Sequence, residues 1–137
     1  MDKSFIKKLF ILYIVVIAVF IVIKPHWGLA YLIGRVEGIY QLRTAGIWNL
    51  NLRPFMFTEP AHVSRLNIIA FVPLGIFLNI LGYKFLKTLL ISALIVFCIE
   101  LVQFLFCLGA ADIDDFILNM LGMVMGYMIC RLIRWFL

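Results

Sequence analysis

Residues 112–127 read DIDDFILNMLGMVMGY, and this stretch decides the fold because a strongly acidic segment leads directly into an apolar one. Three of its first four residues are acids, whereas the residues that follow are almost all apolar and carry no charge. Acids favour the N-terminus of a helix, where the helix dipole is positive. The stretch therefore predicts an apolar helix that begins near Phe116 with acidic residues at its N-terminus.

The chain as a whole is rich in apolar residues. Of its 137 residues, 66% are hydrophobic and 14% are charged, whereas about 25% of residues are charged in a typical soluble protein. The mean hydropathy is +1.14. A soluble domain of this size leaves much of its surface in water and has no room to hide so many apolar side chains. We therefore expect an all-α, polytopic membrane helical bundle that forms a single domain over residues 1–137.

Four apolar runs are candidates for the spans of this bundle. They cover residues 9–23, 66–83, 85–108 and 116 to the arginines at 131 and 134. The first run is interpreted as an uncleaved anchor, since no small-x-small cleavage site follows it. Between the first two runs, small and aromatic residues recur at helical spacing among charged ones, which predicts an interfacial or re-entrant helix within residues 27–50.

The basic residues predict the orientation of the chain, because Lys and Arg near span ends favour the cytoplasmic side. With four spans and the N-terminus inside, seven basic residues and one acid fall on inside segments, against five basic residues outside. The inside set is Lys3, Lys7, Lys8, Lys84, Lys87, Arg131 and Arg134. We therefore expect a multi-pass protein of the bacterial cytoplasmic membrane with both termini inside and the acidic segment outside. The net charge is +5, but most of the basic residues lie at the ends of apolar runs, so no nucleic-acid partner is expected.

Polar residues of the third and fourth predicted spans are expected to face a pocket in the outer half of the membrane. Glu100 and Gln103 lie one turn apart on one helix, as do Asp115 and Asn119 on the next. A carboxylate in the bilayer is costly, so it normally faces protein or a water-filled cavity. The predicted polar pocket comprises Arg53, Arg65, Asn67, Glu100, Gln103, Asp112, Asp114, Asp115 and Asn119.

Each of these residues also has a plainer interpretation. The acids at 112–115 are suited to cap the following helix, and Glu100 to pair with Arg53 or Arg65 as a structural contact. Gly122 and Gly126 are interpreted as packing residues that let another helix approach closely. Both interpretations stay open at the level of the sequence.

No cofactor is expected, although the oxygen-rich site leaves open a divalent cation. Mg²⁺ and Ca²⁺ prefer oxygen ligands, and the weak candidates are Glu100, Asp112 and Asp115. The chain has three cysteines without CxxC spacing, which supports neither a disulfide framework nor a zinc site.

Four stretches of residues 50–127 carry a family resemblance. They are NLRPF at 51–55, NIIAFVPLG at 67–75, ELVQ at 100–103, and DIDDFILNMLG at 112–122 followed by Gly126 and Tyr127. In this order they resemble the VanZ-like family of bacterial membrane proteins. Many members of that family have an arginine shortly before the acidic run, where this chain has Gly109-Ala110-Ala111. Any role of that arginine would have to come from Arg53 or Arg65.

The resemblance implies a role in the cell envelope, because the family takes its name from a protein associated with teicoplanin resistance. Our leading hypothesis is a protein that binds or alters an outer-leaflet envelope component and lowers susceptibility to glycopeptide antibiotics such as teicoplanin. Its expected partners are the lipid bilayer and a lipid-linked envelope precursor or the glycopeptide itself. The first alternative is an intramembrane carboxylate- or metal-dependent enzyme that acts on a lipid-linked phosphate, with Glu100 or Asp115 as the catalytic candidates. The second is a structural or assembly partner of another membrane protein.

Overall fold

The computed structural model describes residues 2–23, 28–48, 50–55, 61–107 and 111–136. Within these ranges the chain is mostly helical, as predicted. The elements are α1 (Lys3–Ile23), α2 (Gly28–Thr44), β1 (Leu50–Asn51), α3 (Ala61–Ile80), α4 (Phe85–Leu105), β2 (Ala111–Asp112) and α5 (Ile113–Phe136). Helix α2 lies in the segment where a helix was predicted between the first two apolar runs.

Two of these helices, α4 and α5, are long and apolar enough to cross a membrane by length and composition. Helix α3 contributes a shorter apolar part, Arg65–Ile80. The predicted number of about four spans is therefore not confirmed and stays a prediction. The segment that ends the first apolar run, Lys24 to Trp27, lies outside the described residues, as do Gly109 and Ala110.

The helices begin earlier than the apolar runs that predicted them. Helix α1 begins at Lys3 rather than at residue 9, α3 at Ala61 rather than at 66, and α5 at Ile113 rather than at 116. The predicted limits marked where each apolar run begins, but Lys and Arg are good helix formers and acids are favoured in the first turn of a helix. In contrast, α3 ends at Ile80, before the predicted end at Tyr83.

Helices α3 and α5 form the centre of the fold and run in the same direction. Their contact has three glycines at its closest points: Gly122 lies against the carbonyl of Ile68, Gly126 against that of Val72, and Gly75 against that of Met123. A Cβ atom at any of these glycines would overlap the facing backbone. The two helices can therefore approach this closely only because these positions have no side chain.

The apolar core surrounds this contact. Its most deeply buried apolar side chains, each under 2% exposed, are Phe71, Leu74, Leu78, Val96 and Met123. Helix α1 packs on α3 with the Tyr13 hydroxyl donating to the Ala70 carbonyl at 2.7 Å. The α1–α3 contact therefore includes a hydrogen bond between a side chain and the backbone of the facing helix.

A two-residue parallel pairing joins β1 to β2, which the sequence did not predict. Leu50 pairs with Ala111 and Asn51 with Asp112. A ladder this short leaves no alternating pattern in the sequence, because strand periodicity needs at least four residues to be visible. The pairing fixes the segment before α3 beside the start of α5.

Candidate functional site

The N-terminal parts of α3 and α5 lie at the same end of the bundle because the two helices are parallel. The β1–β2 pair lies there too, immediately before α5. We call this region the acidic end. It comprises Asn51, Phe55, Asn67, Asp112, Asp114 and Asp115.

Asp112 is the N-cap residue of α5, which begins at Ile113. One of its carboxylate oxygens accepts the backbone N–H of Asp114 at 2.9 Å, and the other accepts the side-chain amide of Asn51 at 3.1 Å. An N-cap side chain of this kind satisfies an N–H group that the first helical turn leaves without an internal partner. The side chain is buried, at 8% exposure. Asp112 therefore both caps α5 and holds the segment before α3.

Asp114 fixes the loop that follows β1. Its carboxylate accepts the backbone N–H of Phe55 at 2.6 Å, and the side chain is only 4% exposed. Phe55 has a φ of 65°, in the left-handed region that bulky residues rarely adopt. A strained residue of this kind persists where its surroundings hold it, and the bond to Asp114 is one such contact. The loop is also closed on itself, since Arg53 N–H donates to the Asn51 side chain at 3.2 Å.

Asp115 joins the two central helices. It accepts the side-chain amide of Asn67, on α3, at 2.6 Å. Asn67 is itself buried, at 9% exposure. The acidic segment thus contacts the loop through Asp112 and Asp114, and α3 through Asp115.

Three further pocket residues lie on buried helix faces nearer the middle of the bundle. Glu100 and Gln103 are on the buried face of α4, and Asn119 is on that of α5. Asn119 is 2% exposed, and its amide oxygen has no hydrogen-bond partner in the described part of the chain. Buried polar atoms almost always have a partner in proteins, so this oxygen is placed to accept a hydrogen bond from a bound water or ligand, or to coordinate a cation.

The two arginines named from the sequence, Arg53 and Arg65, have exposed side chains. The structure instead brings a different arginine, Arg43, to the end of α4 that precedes the acidic segment. Its guanidinium donates to the carbonyl of Phe104 and lies 4.3 Å from the centre of that ring. The Trp48 ring stacks on the Phe104 ring, with 6.1 Å between the ring centres, and lies 5.9 Å from the Arg43 guanidinium carbon. A cation at this position also complements the negative C-terminal end of the helix dipole.

Sequence reasoning missed Arg43 because its partners are 61 and 62 residues away along the chain. The only local signal is its place in the last turn of α2, just before Gly46, which has a φ of 78° and ends the helix. A basic residue at that position is ordinary in any helix. Its spatial role could not be predicted from the pattern.

Metal-ligating residues do not cluster in the described ranges. No group of three or more His, Cys, Asp or Glu side chains that could hold a metal ion lies in these ranges. Cys98, Cys107 and Cys130 are free thiols. What the acidic end offers a ligand is therefore carboxylate and amide groups in a frame that internal hydrogen bonds hold in place.

Comparison with known proteins gives two matches. The family model described as VanZ/LLP1 matches residues 10–134. Protein VanZ of Enterococcus faecium is 37% identical over 84 residues, which cover 57% of this chain and 50% of that protein. The chain thus spans about half the length of this relative. No solved structure matches the chain.

Proposed function

Because the chain belongs to the VanZ/LLP1 family, we propose that it is a multi-pass protein of the bacterial cytoplasmic membrane that acts on the cell envelope. In this proposal it binds or alters a polar outer-leaflet component and thereby lowers susceptibility to glycopeptide antibiotics such as teicoplanin. The family membership itself confirms the resemblance that the sequence motifs predicted. The relative named Protein VanZ supports the envelope role at the level of the family.

The observation that carries this proposal is the preorganised acidic end. Asp112 and Asp114 are buried, and each carboxylate is held by hydrogen bonds from the backbone or from an asparagine. Groups fixed in this way lose little freedom when a ligand arrives, which favours binding. Carboxylates and amide oxygens accept hydrogen bonds, so the fitting ligand is an envelope component rich in hydroxyl, ammonium or amide N–H donors.

The length of α4 and α5 supports a membrane location for this site. A span of about 20 apolar residues crosses the hydrocarbon core of a bilayer. The acidic end lies at one end of these helices rather than at their middle, because it includes the first turn of α5. In the predicted topology this end faces outward, where a glycopeptide or an envelope precursor would meet it.

The proposal is tested by antibiotic susceptibility. We expect a teicoplanin-sensitive Gram-positive strain that expresses the chain to need a several-fold higher inhibitory concentration of teicoplanin than the same strain with an empty vector. The Asp115→Asn variant, which removes the negative charge but keeps an oxygen that can accept from Asn67, should lose that increase. The matched control is Glu37→Gln, which removes one carboxylate from an exposed position on α2.

Membrane levels of both variants are compared by immunoblot, so that a folding defect is separated from a functional one. An unchanged inhibitory concentration with well-expressed wild-type protein would contradict the role in glycopeptide susceptibility. Equal loss in Asp115→Asn and Glu37→Gln would instead contradict the assignment of the site to the acidic end.

A second candidate function is favoured by the oxygen of Asn119. This atom is buried without a partner in the described part of the chain and lies four residues after Asp115 on α5. Helix α5 contacts α4, on which Glu100 is buried. In this alternative, a divalent cation binds there and helps the carboxylates to act on a lipid-linked phosphate. Hard cations such as Mg²⁺ and Ca²⁺ prefer oxygen ligands of this kind.

Thermal unfolding of the purified full chain tests the cation directly. If the alternative holds, millimolar Mg²⁺ or Ca²⁺ raises the Tm of the wild type, because a ligand that binds only the folded state stabilises it. The Glu100→Gln variant should lose that shift, whereas Glu37→Gln should keep it. If neither Mg²⁺ nor Ca²⁺ changes the Tm of the wild type, the metal-dependent alternative is contradicted.

A further inference from the structure

The other end of the α3–α5 pair carries a cavity of about 280 Å³ that the proposed function does not use. It lies where α3 ends, α4 begins and α5 reaches its last turns. We call it the basic pocket. Its lining residues are Asn79, Gly82, Tyr83, Lys84, Tyr127, Arg131 and Arg134.

The turn between α3 and α4 shapes this pocket. Gly82, with a φ of 90°, donates its N–H to the Asn79 carbonyl at 2.9 Å, and Tyr83 N–H donates to the Leu78 carbonyl at 3.1 Å. This pair of bonds is the Schellman arrangement, which ends a helix abruptly at a left-handed residue. The chain therefore reverses at once and places Lys84 at the start of α4 beside the end of α5.

Hydrogen bonds between the elements fix the floor of the pocket. Arg134 donates to the Asn79 carbonyl at 3.3 Å, and the Asn79 side-chain amide approaches the Tyr127 carbonyl at 3.5 Å. The Tyr127 hydroxyl donates to the Tyr83 carbonyl at 3.4 Å. Asn79 and Tyr127 are buried, at 6% and 4% exposure, so the bonds that their side chains make belong to the packed interior, whereas Arg134 contributes its bond from an exposed side chain.

The charge of the pocket has one sign. Lys84, Arg131 and Arg134 line it, and its lining includes no acid. In the described part of the chain, no side chain caps the N-terminus of α4, where Lys84 is the N-cap residue. Helix N-termini present N–H groups and a positive dipole end, which favour anions. Guanidinium groups add a planar fork of donors that matches phosphate oxygens.

An apolar cavity of about 250 Å³ adjoins the basic pocket. It is lined by Phe85, Tyr127, Met128 and Arg131, so that Tyr127 and Arg131 belong to both cavities. A molecule with its phosphate in the basic pocket would therefore find an apolar surface beside it. A site with a cationic part next to an apolar part matches an amphiphile better than a small soluble anion.

We propose that the basic pocket binds the phosphate of an anionic phospholipid, with part of an acyl chain lying against Phe85 and Met128. Basic pockets between helices at the cytoplasmic side of a membrane are suited to anionic headgroups. The combined size of the two cavities falls within the range of about 300–1,000 Å³ typical of ligand pockets. The site lies at the opposite end of the bundle from the acidic end. The inference rests on the proposed membrane location but not on the proposed role in glycopeptide susceptibility.

The cations also have a simpler role as topology signals, since Lys and Arg flank the cytoplasmic ends of membrane helices in general. A topology signal attracts any anionic surface weakly, without regard to the shape of the lipid. A built pocket distinguishes the lipid that fits from one that does not. The two roles therefore differ in specificity, and specificity is what the experiment measures.

The experiment follows the Tm of the full chain, purified in a neutral detergent, as phosphatidylglycerol is added. Two comparison probes are used. Phosphatidylcholine has a lipid phosphate without net charge, and inorganic phosphate has the charge without acyl chains. A salt concentration of about 0.5 M shortens the Debye length to a few ångströms and suppresses general attraction between charges. The apparent affinity follows from the rise of Tm with lipid concentration.

The test variant is Lys84→Gln with Arg131→Gln, which leaves the Arg134–Asn79 bond intact. The matched control is Lys7→Gln with Lys8→Gln, which removes the same charge from exposed positions on α1. We expect phosphatidylglycerol to raise the Tm of the wild type and of the control alike. In the test variant its apparent affinity should fall roughly thirtyfold. Circular dichroism without lipid establishes that each variant is folded.

A second variant, Met128→Gln, tests the apolar cavity. It should weaken binding of phosphatidylglycerol by roughly fivefold and leave the effect of inorganic phosphate unchanged. Three results would overturn the proposal. The first is an equal response to phosphatidylglycerol and phosphatidylcholine, and the second is equal weakening by the test and control variants. The third is an effect of inorganic phosphate as large as that of the lipid, which would assign the pocket to a soluble anion.

Discussion

The two ends of the α3–α5 pair use polar groups in opposite ways. At the acidic end, Asp112 and Asp114 are buried and accept hydrogen bonds from backbone N–H groups nearby. At the basic pocket, Lys84 and Arg131 are exposed around a cavity. The first arrangement holds its acids in a fixed, buried frame, whereas the second leaves its cations exposed at the surface of the chain. The same pair of helices therefore provides one end that is largely closed and one that is open.

The direction of α3 and α5 explains why acids lie at one end of the pair and cations at the other. The loops explain why the acids are buried and the cations exposed. The N-terminal ends of α3 and α5 favour acids and their C-terminal ends favour cations. The segment 50–55 folds over the acidic end through the β1–β2 pair and the Phe55–Asp114 bond. At the opposite end the α3–α4 turn is short and leaves Lys84 and Arg131 exposed. Asp112 and Asp114 are therefore buried because the backbone of residues 50–55 lies over them.

The largest effect on stability is expected at the glycines where α3 and α5 pack against each other, because this contact supports both ends of the pair. Gly126→Val places a branched side chain where the carbonyl of Val72 lies, so the helices must separate. We expect a loss of about 3 kcal/mol or more in the free energy of unfolding, measured by denaturant titration in detergent micelles. Both the acidic end and the basic pocket should lose their effects on ligands together.

Gly38→Ala is the matched control for this change. A Cβ at Gly38 meets nothing within 4 Å, and the residue lies inside α2. Alanine in a helix interior is favoured over glycine by about 0.5–1 kcal/mol, so this variant should be slightly more stable than the wild type. If both substitutions destabilise the chain equally, the close α3–α5 contact is not what makes Gly126 necessary.

The Asn67–Asp115 bond is expected to give the next largest effect, because it joins α3 to α5 at the closed end. Asn67→Ala leaves the partly buried Asp115 without this donor, and Asp115→Ala leaves the buried Asn67 amide without its acceptor. Each single variant should cost about 1–3 kcal/mol of unfolding free energy. The double variant should cost clearly less than the sum of the two, as expected for residues in direct contact. Additive costs would mean that the two side chains do not interact.

The sequence predicted the helical class and the presence of acids at the start of α5, because both follow from local patterns. Periodic apolar residues mark helices, and acids before an apolar run mark a helix N-terminus. The sequence also placed Gly122 and Gly126 on one helix face, but it could not identify α3 as their partner. Pro73 and Gly75 together predict a kink in the second apolar run, but nothing in the pattern indicates that Gly75 lies against α5, where the structure places it.

The features that the sequence did not predict are contacts between residues far apart along the chain. Asn51 and Asp112 are 61 residues apart, and Phe55 and Asp114 are 59 apart. The donor in the second pair is a backbone N–H, which every non-proline residue has, so no residue type marks it in advance. The role of Phe55 depends on its left-handed conformation, which an aromatic residue does not indicate. These contacts follow from the tertiary arrangement and not from local propensity.

Phe55 offers a smaller test of the cover over the acidic end. Its side chain is 70% exposed, so little apolar burial is lost on replacing it, and its φ of 65° suits glycine. Phe55→Gly should therefore raise the free energy of unfolding by about 0.5–1 kcal/mol, measured by the same titration. Phe55→Ala is the comparison, since it removes the ring but keeps a Cβ at the left-handed position. A loss of stability in both variants would show that the aromatic ring, rather than the backbone, holds the loop in place.

The smallest effect is expected at the open end in the absence of anionic lipid. Lys84→Gln with Arg131→Gln changes two exposed side chains for which the described hydrogen bonds show no partner, so it should alter the unfolding free energy by less than about 0.5 kcal/mol. Any change should be a gain, because the substitutions relieve repulsion between cations around the pocket. A loss comparable to that of Asn67→Ala would mean that these cations stabilise the fold. The basic pocket would then be a second closed end, and the contrast between the two ends would disappear.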